Sequence, residues 1–220
     1  MSGFIKSSVA RKIAMALSAF FLIIFLLQHF IINFTSVISP EKFNELSHFM
    51  GTNGLVQFLL QPVLIFGIVF HFIMGFILEA RNRGARAVKY VKYSGNANSS
   101  WMSRNMLISG IVILLFLGLH FYDFWFPEIA HKYIEGAPAD ATRYYGELVA
   151  KFQDPIRVGL YCLAFVFLAL HLYHGFSSAF QSVGARNKYS PGVRKFGIAF
   201  SIIIPLGFIF IALFHHFNSL

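Results

Sequence analysis

Four histidines lie inside four different apolar stretches of this chain, each stretch long enough to cross a membrane: His29, His71, His120 and His171. An ionisable ring in hydrocarbon is costly, so a histidine inside a membrane points to a function. Four such residues on four separate helices predict two pairs. Two imidazoles that face each other across a helix bundle would suit one haem, with its iron bound from both sides, and two pairs would suit two haems.

The composition around these histidines is that of an integral membrane protein. Of the 220 residues, 57% are hydrophobic and only 12% are charged, far from the balance of a soluble domain. We predict an all-α fold, a single domain over 1–220 that forms a bundle of five transmembrane helices. The predicted helices cover about 13–34, 55–78, 105–126, 155–181 and 195–217.

The connections are predicted from their proline, glycine and polar residues. A loop containing Pro40 and Gly51 joins the first two helices, and the third helix is expected to end at Pro127. The connection that follows Pro127 is acidic, and we predict one amphipathic helix in it, around 141–152.

The basic residues are distributed unevenly between the two ends of the bundle. Most of the 18 Lys and Arg residues lie in the N-terminal segment and in the connections 81–104 and 186–195. By the positive-inside rule this pattern predicts a cytoplasmic N-terminus and a C-terminus outside. The net charge of +9 is therefore assigned to membrane orientation and not to nucleic-acid binding.

The chain has a single cysteine, Cys162, which lies within the fourth span. One cysteine allows no internal disulfide, no four-thiolate cluster and no C-x-x-C-H attachment of a c-type haem. Any iron–sulfur or flavin centre that works with this chain would belong to another subunit.

The direction of each helix gives each histidine a depth. His29 and His120 lie roughly 8–10 Å from the outer ends of their helices, at a rise of 1.5 Å per residue. His71 and His171 lie roughly 11–15 Å from the inner ends of theirs. The depths match two by two, so we predict an outer pair, His29 with His120, and an inner pair, His71 with His171. Carboxylates are absent at these depths, which makes zinc a poorer candidate than haem.

The inner pair shares a sequence spacing, His-x3-Gly. It occurs at His71 and Gly75 and again at His171 and Gly175, and Gly67 extends the first of these faces by one turn. Residues four apart lie on one helical face, so these glycines would leave room beside the ring for a flat macrocycle. Close packing between helices is the alternative role for such small residues.

His174 competes with His171, because it lies one turn further along much the same face. The His-x3-Gly spacing favours His171, which leaves His174 as an alternative ligand or as a group beside the haem. The remaining histidines are predicted to be solvated or interfacial at the outer surface: His48, His131, His215 and His216.

At these residues the chain resembles the membrane-anchor cytochrome b subunit of succinate:quinone oxidoreductases, in its single-chain, five-helix, two-haem form. The resemblance rests on the histidines of the first four helices, the His-x3-Gly pair, and the segment HLYHGFSSAFQ at 171–181 followed by Gly184. It implies an inner haem held by helices two and four and an outer haem held by helices one and three. It also implies a flavoprotein and an iron–sulfur subunit on the cytoplasmic face of a bacterial cytoplasmic membrane.

The function that the resemblance implies is electron transfer within succinate dehydrogenase, the respiratory complex II of the tricarboxylic acid cycle. Electrons would pass from succinate through FAD and iron–sulfur clusters in the partners to two b-type haems and a membrane quinone, commonly menaquinone. This chain would carry no dicarboxylate chemistry. Some fumarate-reducing relatives have a glutamate two residues before the haem histidine of helix four. Ala169 stands there, which favours succinate oxidation.

A quinone that takes up two electrons needs a proton donor or acceptor beside it. The candidates are Asp123, three residues after His120, and Glu45 and Glu41 in the first outer connection. Ordinary solvated helix ends are the alternative for these carboxylates. Haem propionates would need cationic or donor partners at the inner face, and four residues are candidates there: Arg81, Trp101, Arg104 and Arg186. Anchoring at the membrane face, or docking of the iron–sulfur subunit, is the alternative for each.

Two other functions fit the same residues. The anchor of a hydrogenase or a formate dehydrogenase would carry similar haems, and the partner that co-purifies would distinguish it. A haem-free transporter could use the histidines as a proton relay, and it would lack the absorption bands of a b-type haem.

Overall fold

The structure is a computed structural model and describes residues 7–84, 105–184 and 190–218. Over these ranges the chain is helical and contains no strand. Five helices are long and apolar enough to cross a membrane, which confirms the predicted fold class and a multi-pass membrane protein in contact with lipid. They cover Ser8–Ile38, Val56–Asn82, Met106–Ile134, Pro155–Ser182 and Ser190–Phe217.

The first connection is a helix and not the predicted loop. Helix α1 (Ser8–Ile38) is followed after one residue by α2 (Pro40–Thr52). Ser39 caps α2, because its hydroxyl accepts a hydrogen bond from the Lys42 amide at 3.2 Å. Pro40 stands at the first helical position, where its missing N–H costs nothing. The proline that we expected to mark a loop therefore starts a helix.

The second and third spans contain π-helical turns. The turn Val56–Leu60 leads into α3 (Gln61–Gly84). Helix α4 (Met106–His120) is followed by a π-helical turn at Phe121–Trp125. There the Phe126 amide bonds the carbonyl five residues back instead of four.

The prediction that the third helix ends at Pro127 is wrong. The span continues through α5 (Phe126–Ile129) and a second π-helical turn, Ala130–Ile134. The π-helical turn before Pro127 has already shifted the backbone hydrogen bonds, so the helix accommodates a residue that lacks an N–H.

The remaining helices follow the sequence prediction closely. The amphipathic helix α6 (Arg143–Phe152) lies in the acidic connection as expected. Helix α7 (Pro155–Ser182) is capped by Asp154, whose carboxylate accepts a hydrogen bond from the Ile156 amide at 2.9 Å. Helix α8 (Ser190–Phe217) is the fifth span and contains the buried Pro205.

The four helices that carry the paired histidines form a closed ring. Helix α1 packs against α3 and α7, α4 packs against α7, and α3 completes the ring by contacting α4. Helix α8 lies outside this ring, against α1 and α7. All four histidine-bearing helices therefore surround one common interior, as a cofactor site between helices requires.

Glycines let α8 approach its neighbours closely. A Cβ atom at Gly197 would overlap the ring of Phe176 on α7, and a Cβ atom at Gly207 would overlap the ring of Phe30 on α1. The core between α7 and α8 is rich in aromatic rings, among them Phe165 and Phe208, which stack with centroids 5.2 Å apart. This packing fixes α1 and α7, and with them one histidine of each pair.

Candidate functional site

The outer pair lies between α1 and α4. The ring centroids of His29 and His120 are 5.7 Å apart and their planes cross at 86°. His120 is the last residue of α4, immediately before the π-helical turn Phe121–Trp125. Aromatic rings within 6 Å of one or the other imidazole keep the site apolar: Phe25, Phe116, Phe124 and Phe208.

The inner pair lies between α3 and α7. The ring centroids of His71 and His171 are 6.3 Å apart, with an interplanar angle of 64°. The structure thus brings together the two pairs that the depths predict. His174 is directed elsewhere: its Nε2 lies 3.1 Å from the Ser178 hydroxyl, one turn further along α7. Of the two histidines on α7, it is His171 whose ring meets that of His71.

The separation of the rings suits a metal held between them. An imidazole nitrogen binds a metal at about 2 Å, so two coaxial ligands place their ring centroids about 6 Å apart. Both pairs lie close to that value. Within the described ranges, no three His, Cys, Asp or Glu side chains gather into a metal site. Each pair offers two imidazole nitrogens, a donor set that fits a metal that brings its other ligands with it, as haem iron does.

No protein-family model, curated protein or solved structure matches the chain. The resemblance to succinate:quinone oxidoreductase anchors therefore rests on the sequence motifs alone. The geometry of the two histidine pairs is a second observation, independent of those motifs, that bears on the function.

Two serines that the sequence analysis missed contact the inner pair. The Ser18 hydroxyl of α1 lies 3.0 Å from Nδ1 of His71, and the Ser109 hydroxyl of α4 lies 3.2 Å from Nδ1 of His171. Both serines are buried. In the outer pair, by contrast, Nδ1 of His120 is buried and has no hydrogen-bond partner.

The glycines of the predicted macrocycle face are contacted by neighbouring side chains. A Cβ atom at Gly67 would lie 2.8 Å from the ring of Phe21. A Cβ atom at Gly75 would lie 3.7 Å from the methyl group of Met15, and one at Gly175 would lie 3.5 Å from that of Met106. Their role in haem packing stays a prediction.

Asp123, a candidate proton site, is buried and not a solvated helix end. It is 2% exposed, accepts a hydrogen bond from the Tyr161 hydroxyl at 2.9 Å, and lies 3.1 Å from the Arg157 guanidinium. The Tyr161 ring is 6.4 Å from that of His120, which places this group beside the outer pair. Glu45, by contrast, is exposed and pairs with Lys42 at 2.6 Å.

The structure describes one of the four candidate propionate partners. Arg81 is exposed near the end of α3. Trp101, Arg104 and Arg186 lie outside the described residues. The proposed contacts of these four side chains stay predictions.

His215 was predicted to be solvated or interfacial at the outer end of α8, and its exposure was predicted wrongly because the structure buries it. It is 1% exposed, and its Nε2 lies 2.8 Å from the hydroxyl of Ser36 on α1. The Tyr145 ring of α6 covers it with centroids 5.6 Å apart. The helix end is buried because α6 lies over it, a contact that the apolar pattern of α8 alone does not reveal.

An ion-pair cluster ties the outer connections together. Glu128 pairs with Lys132 on its own span and with Arg143 on α6. Burial disfavours the charged form of Arg143, yet hydrogen bonds to Glu147 and Glu128 raise the pKa of Arg143 above its ordinary value. Burial also disfavours the charged form of the neighbouring Tyr144, and for a phenol this raises the pKa. The cluster holds α6 against the end of the third span.

Proposed function

We propose that this chain is the two-haem cytochrome b membrane anchor of a succinate:quinone oxidoreductase. The observation that supports two haem sites is the pair of adjacent imidazoles at each of two levels, with ring centroids 5.7 and 6.3 Å apart. The assignment to succinate:quinone oxidoreductases rests on the sequence motifs. The four histidines come from four helices of one closed ring, so each helix supplies one ligand.

The distance between the two levels supports electron transfer along the bundle. Ser18 contacts the inner pair and His29 belongs to the outer pair, and the two residues are eleven positions apart on α1. At the rise of an α-helix this is about 16 Å. With two redox centres at that spacing, an electron would cross the apolar layer, which is about 30 Å thick, in shorter steps.

The residues of the chain would hold, orient and insulate the two centres. When bound, a b-type haem would supply reversible one-electron chemistry. The imidazoles would hold each centre, and the surrounding phenylalanines would exclude water. The chain would bind no dicarboxylate and would belong to the enzyme as its electron-carrying, quinone-facing subunit.

The partners in this proposal are those that the resemblance implies, and the charge distribution gives only the end at which they would dock. A flavoprotein with FAD and an iron–sulfur subunit would dock at the end that carries the basic connections 81–104 and 186–195, on the cytoplasmic side of a bacterial cytoplasmic membrane. Arg81, Trp101, Arg104 and Arg186 would lie at that end, where haem propionates or the iron–sulfur subunit need partners. The quinone, proposed to be menaquinone, would react near the outer pair.

Asp123 is the proposed proton site for the quinone. It is buried beside the outer pair, it is held by Tyr161 and Arg157, and its second carboxylate oxygen, Oδ1, has no hydrogen-bond partner. A carboxylate with one oxygen free can accept or deliver a proton to a bound ligand. Glu45, exposed and paired with Lys42, is the weaker candidate.

Purification of the full chain from its native membranes tests the proposal. We expect two b-type haems per chain in a reduced-minus-oxidised spectrum, with a flavoprotein and an iron–sulfur protein co-purifying, and haem reduction on addition of succinate. Absence of haem would favour the histidine-relay transporter. Two haems with a hydrogenase or formate dehydrogenase as the co-purifying partner would assign the chain to that other class of anchor.

A further inference from the structure

Helices α1 and α4 carry the same spaced residues. Met15 and Ser18 precede His29, and Met106 and Ser109 precede His120, in the common pattern Met-x2-Ser-x10-His. Eleven residues correspond to just over three whole turns, so the serine and the histidine lie on one face of each helix, about 16 Å apart. Each of these helices therefore contributes a serine at the inner level and a histidine at the outer level.

The partners of these helices repeat as well. On α3 and α7 the pattern is His-x3-Gly, and the two helix pairs make the same contacts. The Ser18 hydroxyl contacts the His71 ring, and one turn away the Met15 methyl group lies beside Gly75. Ser109 meets His171 where Met106 meets Gly175. The inner site is thus built from two copies of one two-helix unit, α1 with α3 and α4 with α7.

The hydrogen bonds of the serines define which ring nitrogen carries the proton. Ser18 Oγ lies 2.8 Å from the carbonyl oxygen of Met15, and Ser109 Oγ lies 2.9 Å from that of Met106. A carbonyl oxygen can only accept, so it takes the single hydroxyl proton. The second contact of each serine oxygen can then be a hydrogen bond only if the imidazole Nδ1–H donates to it.

This arrangement leaves Nε2 of both inner histidines with its lone pair available. A ligating histidine commonly donates its other ring N–H to a neighbouring oxygen, which fixes the ring and raises its basicity towards the metal. In the outer pair, Nδ1 of His120 has no hydrogen-bond partner, and both ring nitrogens of His29 lie 3.4 Å from the side-chain nitrogen of Asn33, which donates and does not accept. Neither contact offers an acceptor for an Nδ1–H, so the two levels would present imidazoles of different donor strength.

We propose that Ser18 and Ser109 are positioning residues of the inner site, which set the tautomer of His71 and His171 and the donor strength of their Nε2 atoms. The inference rests on the proposed function and adds a means by which the chain tunes one redox centre independently of the other. A stronger imidazole donor stabilises the oxidised metal, so the two serines lower the reduction potential of the inner centre.

Redox titration of the full chain in its complex tests this proposal. The variants are Ser18→Ala, Ser109→Ala and the double variant, with His71→Ala used to identify the spectral component of the inner haem. The matched control is Ser201→Ala, since Ser201 is fully buried on α8 and its hydroxyl contacts backbone carbonyls of its own helix. We expect a shift of the inner midpoint potential to more positive values, larger in the double variant, with the outer potential unchanged and no effect of the control.

Restoration of the hydroxyl separates positioning from packing. Ser18→Thr and Ser109→Thr keep the hydroxyl and are expected to keep the parent potential. If an alanine variant loses the inner haem, its recovery in the threonine variant supports the proposal, and its continued loss overturns it. Two haems with unchanged potentials in the double alanine variant would also overturn it. A parent complex without haem would refute the proposed function itself, and this inference with it.

Discussion

The Tyr161 hydroxyl donates a hydrogen bond to the Asp123 carboxylate at 2.9 Å. Asp123 lies three residues after His120 in the sequence, and both Asp123 and Tyr161 are buried. Arg157 lies on the same carboxylate oxygen, at 3.1 Å. A buried acid held in this way keeps its position but leaves its other oxygen free. Because the Tyr161 ring also lies 6.4 Å from that of His120, this hydrogen bond places an ionisable carboxyl group beside the outer pair.

Replacement of Asp123 by Asn should slow quinone reduction while both haems remain. The amide keeps the shape of the side chain but cannot take up a proton, and loss of a positioned acid or base costs about 100-fold in rate. The measurement is quinone reduction driven by succinate in membranes, together with the extent of haem reduction. Glu135→Gln is the control, because Glu135 is exposed and is not a candidate proton site, and it should leave the rate unchanged. An unaltered rate in Asp123→Asn would remove this residue from the quinone site.

His174→Ala should keep both haems, whereas His171→Ala should lose the inner one. His174 is hydrogen-bonded to Ser178 of its own helix, and His171 is the residue whose ring meets that of His71. The haem-to-chain ratio of the purified variants distinguishes the two. Loss of the inner haem in His174→Ala with its retention in His171→Ala would reverse the assignment on α7.

Replacement of Gly207 by Ala should destabilise the bundle. A Cβ atom at this position would overlap the ring of Phe30, and overpacking of this kind costs about 1–3 kcal/mol. Gly159→Ala is the matched control on α7, since a Cβ atom there meets no neighbour within 4 Å, and alanine favours the helix. Thermal unfolding in detergent should show a lower midpoint for Gly207→Ala only. Equal midpoints for the two variants would contradict the close approach of α8 to α1.

Replacement of His215 by Ala should also lower stability. The change removes the hydrogen bond to Ser36 and leaves a space at a fully buried position, and a lost buried hydrogen bond alone costs about 1–3 kcal/mol. His131→Ala serves as the control, because the His131 ring makes a longer contact of 3.3 Å to the Pro138 carbonyl, in an exposed setting. Unfolding midpoints of both variants, measured under the same conditions, test the difference. A midpoint for His215→Ala equal to that of the parent would place this ring at the surface after all.

Much of the fold could be predicted because it follows from local physical chemistry. Five apolar stretches of sufficient length give five spans, and the fixed rise of an α-helix converts sequence position into depth. This is why His29 could be matched with His120 and His71 with His171 before their separations were known. The rings of both pairs meet in the structure.

The parts that could not be predicted depend on contacts between distant segments. The continuation of the third span past Pro127 requires a π-helical turn, and the burial of His215 requires α6 to lie over the end of α8. Ser18 and Ser109 were missed because a serine in an apolar helix usually bonds its own backbone, and the sequence does not show which ring lies opposite. The repeated Met-x2-Ser-x10-His spacing was the one signal that could have identified them.

The haem content of four single variants, measured as reduced-minus-oxidised spectra normalised to chain concentration, tests the pairing of the histidines directly. His71→Ala and His171→Ala should lose the same spectral component, and His29→Ala and His120→Ala should lose the other, so that each variant keeps about one haem of the two. His48→Ala serves as the control and should keep both. A parent chain with no b-type haem, or two variants of one pair that lose different components, would contradict two haems held by these two histidine pairs.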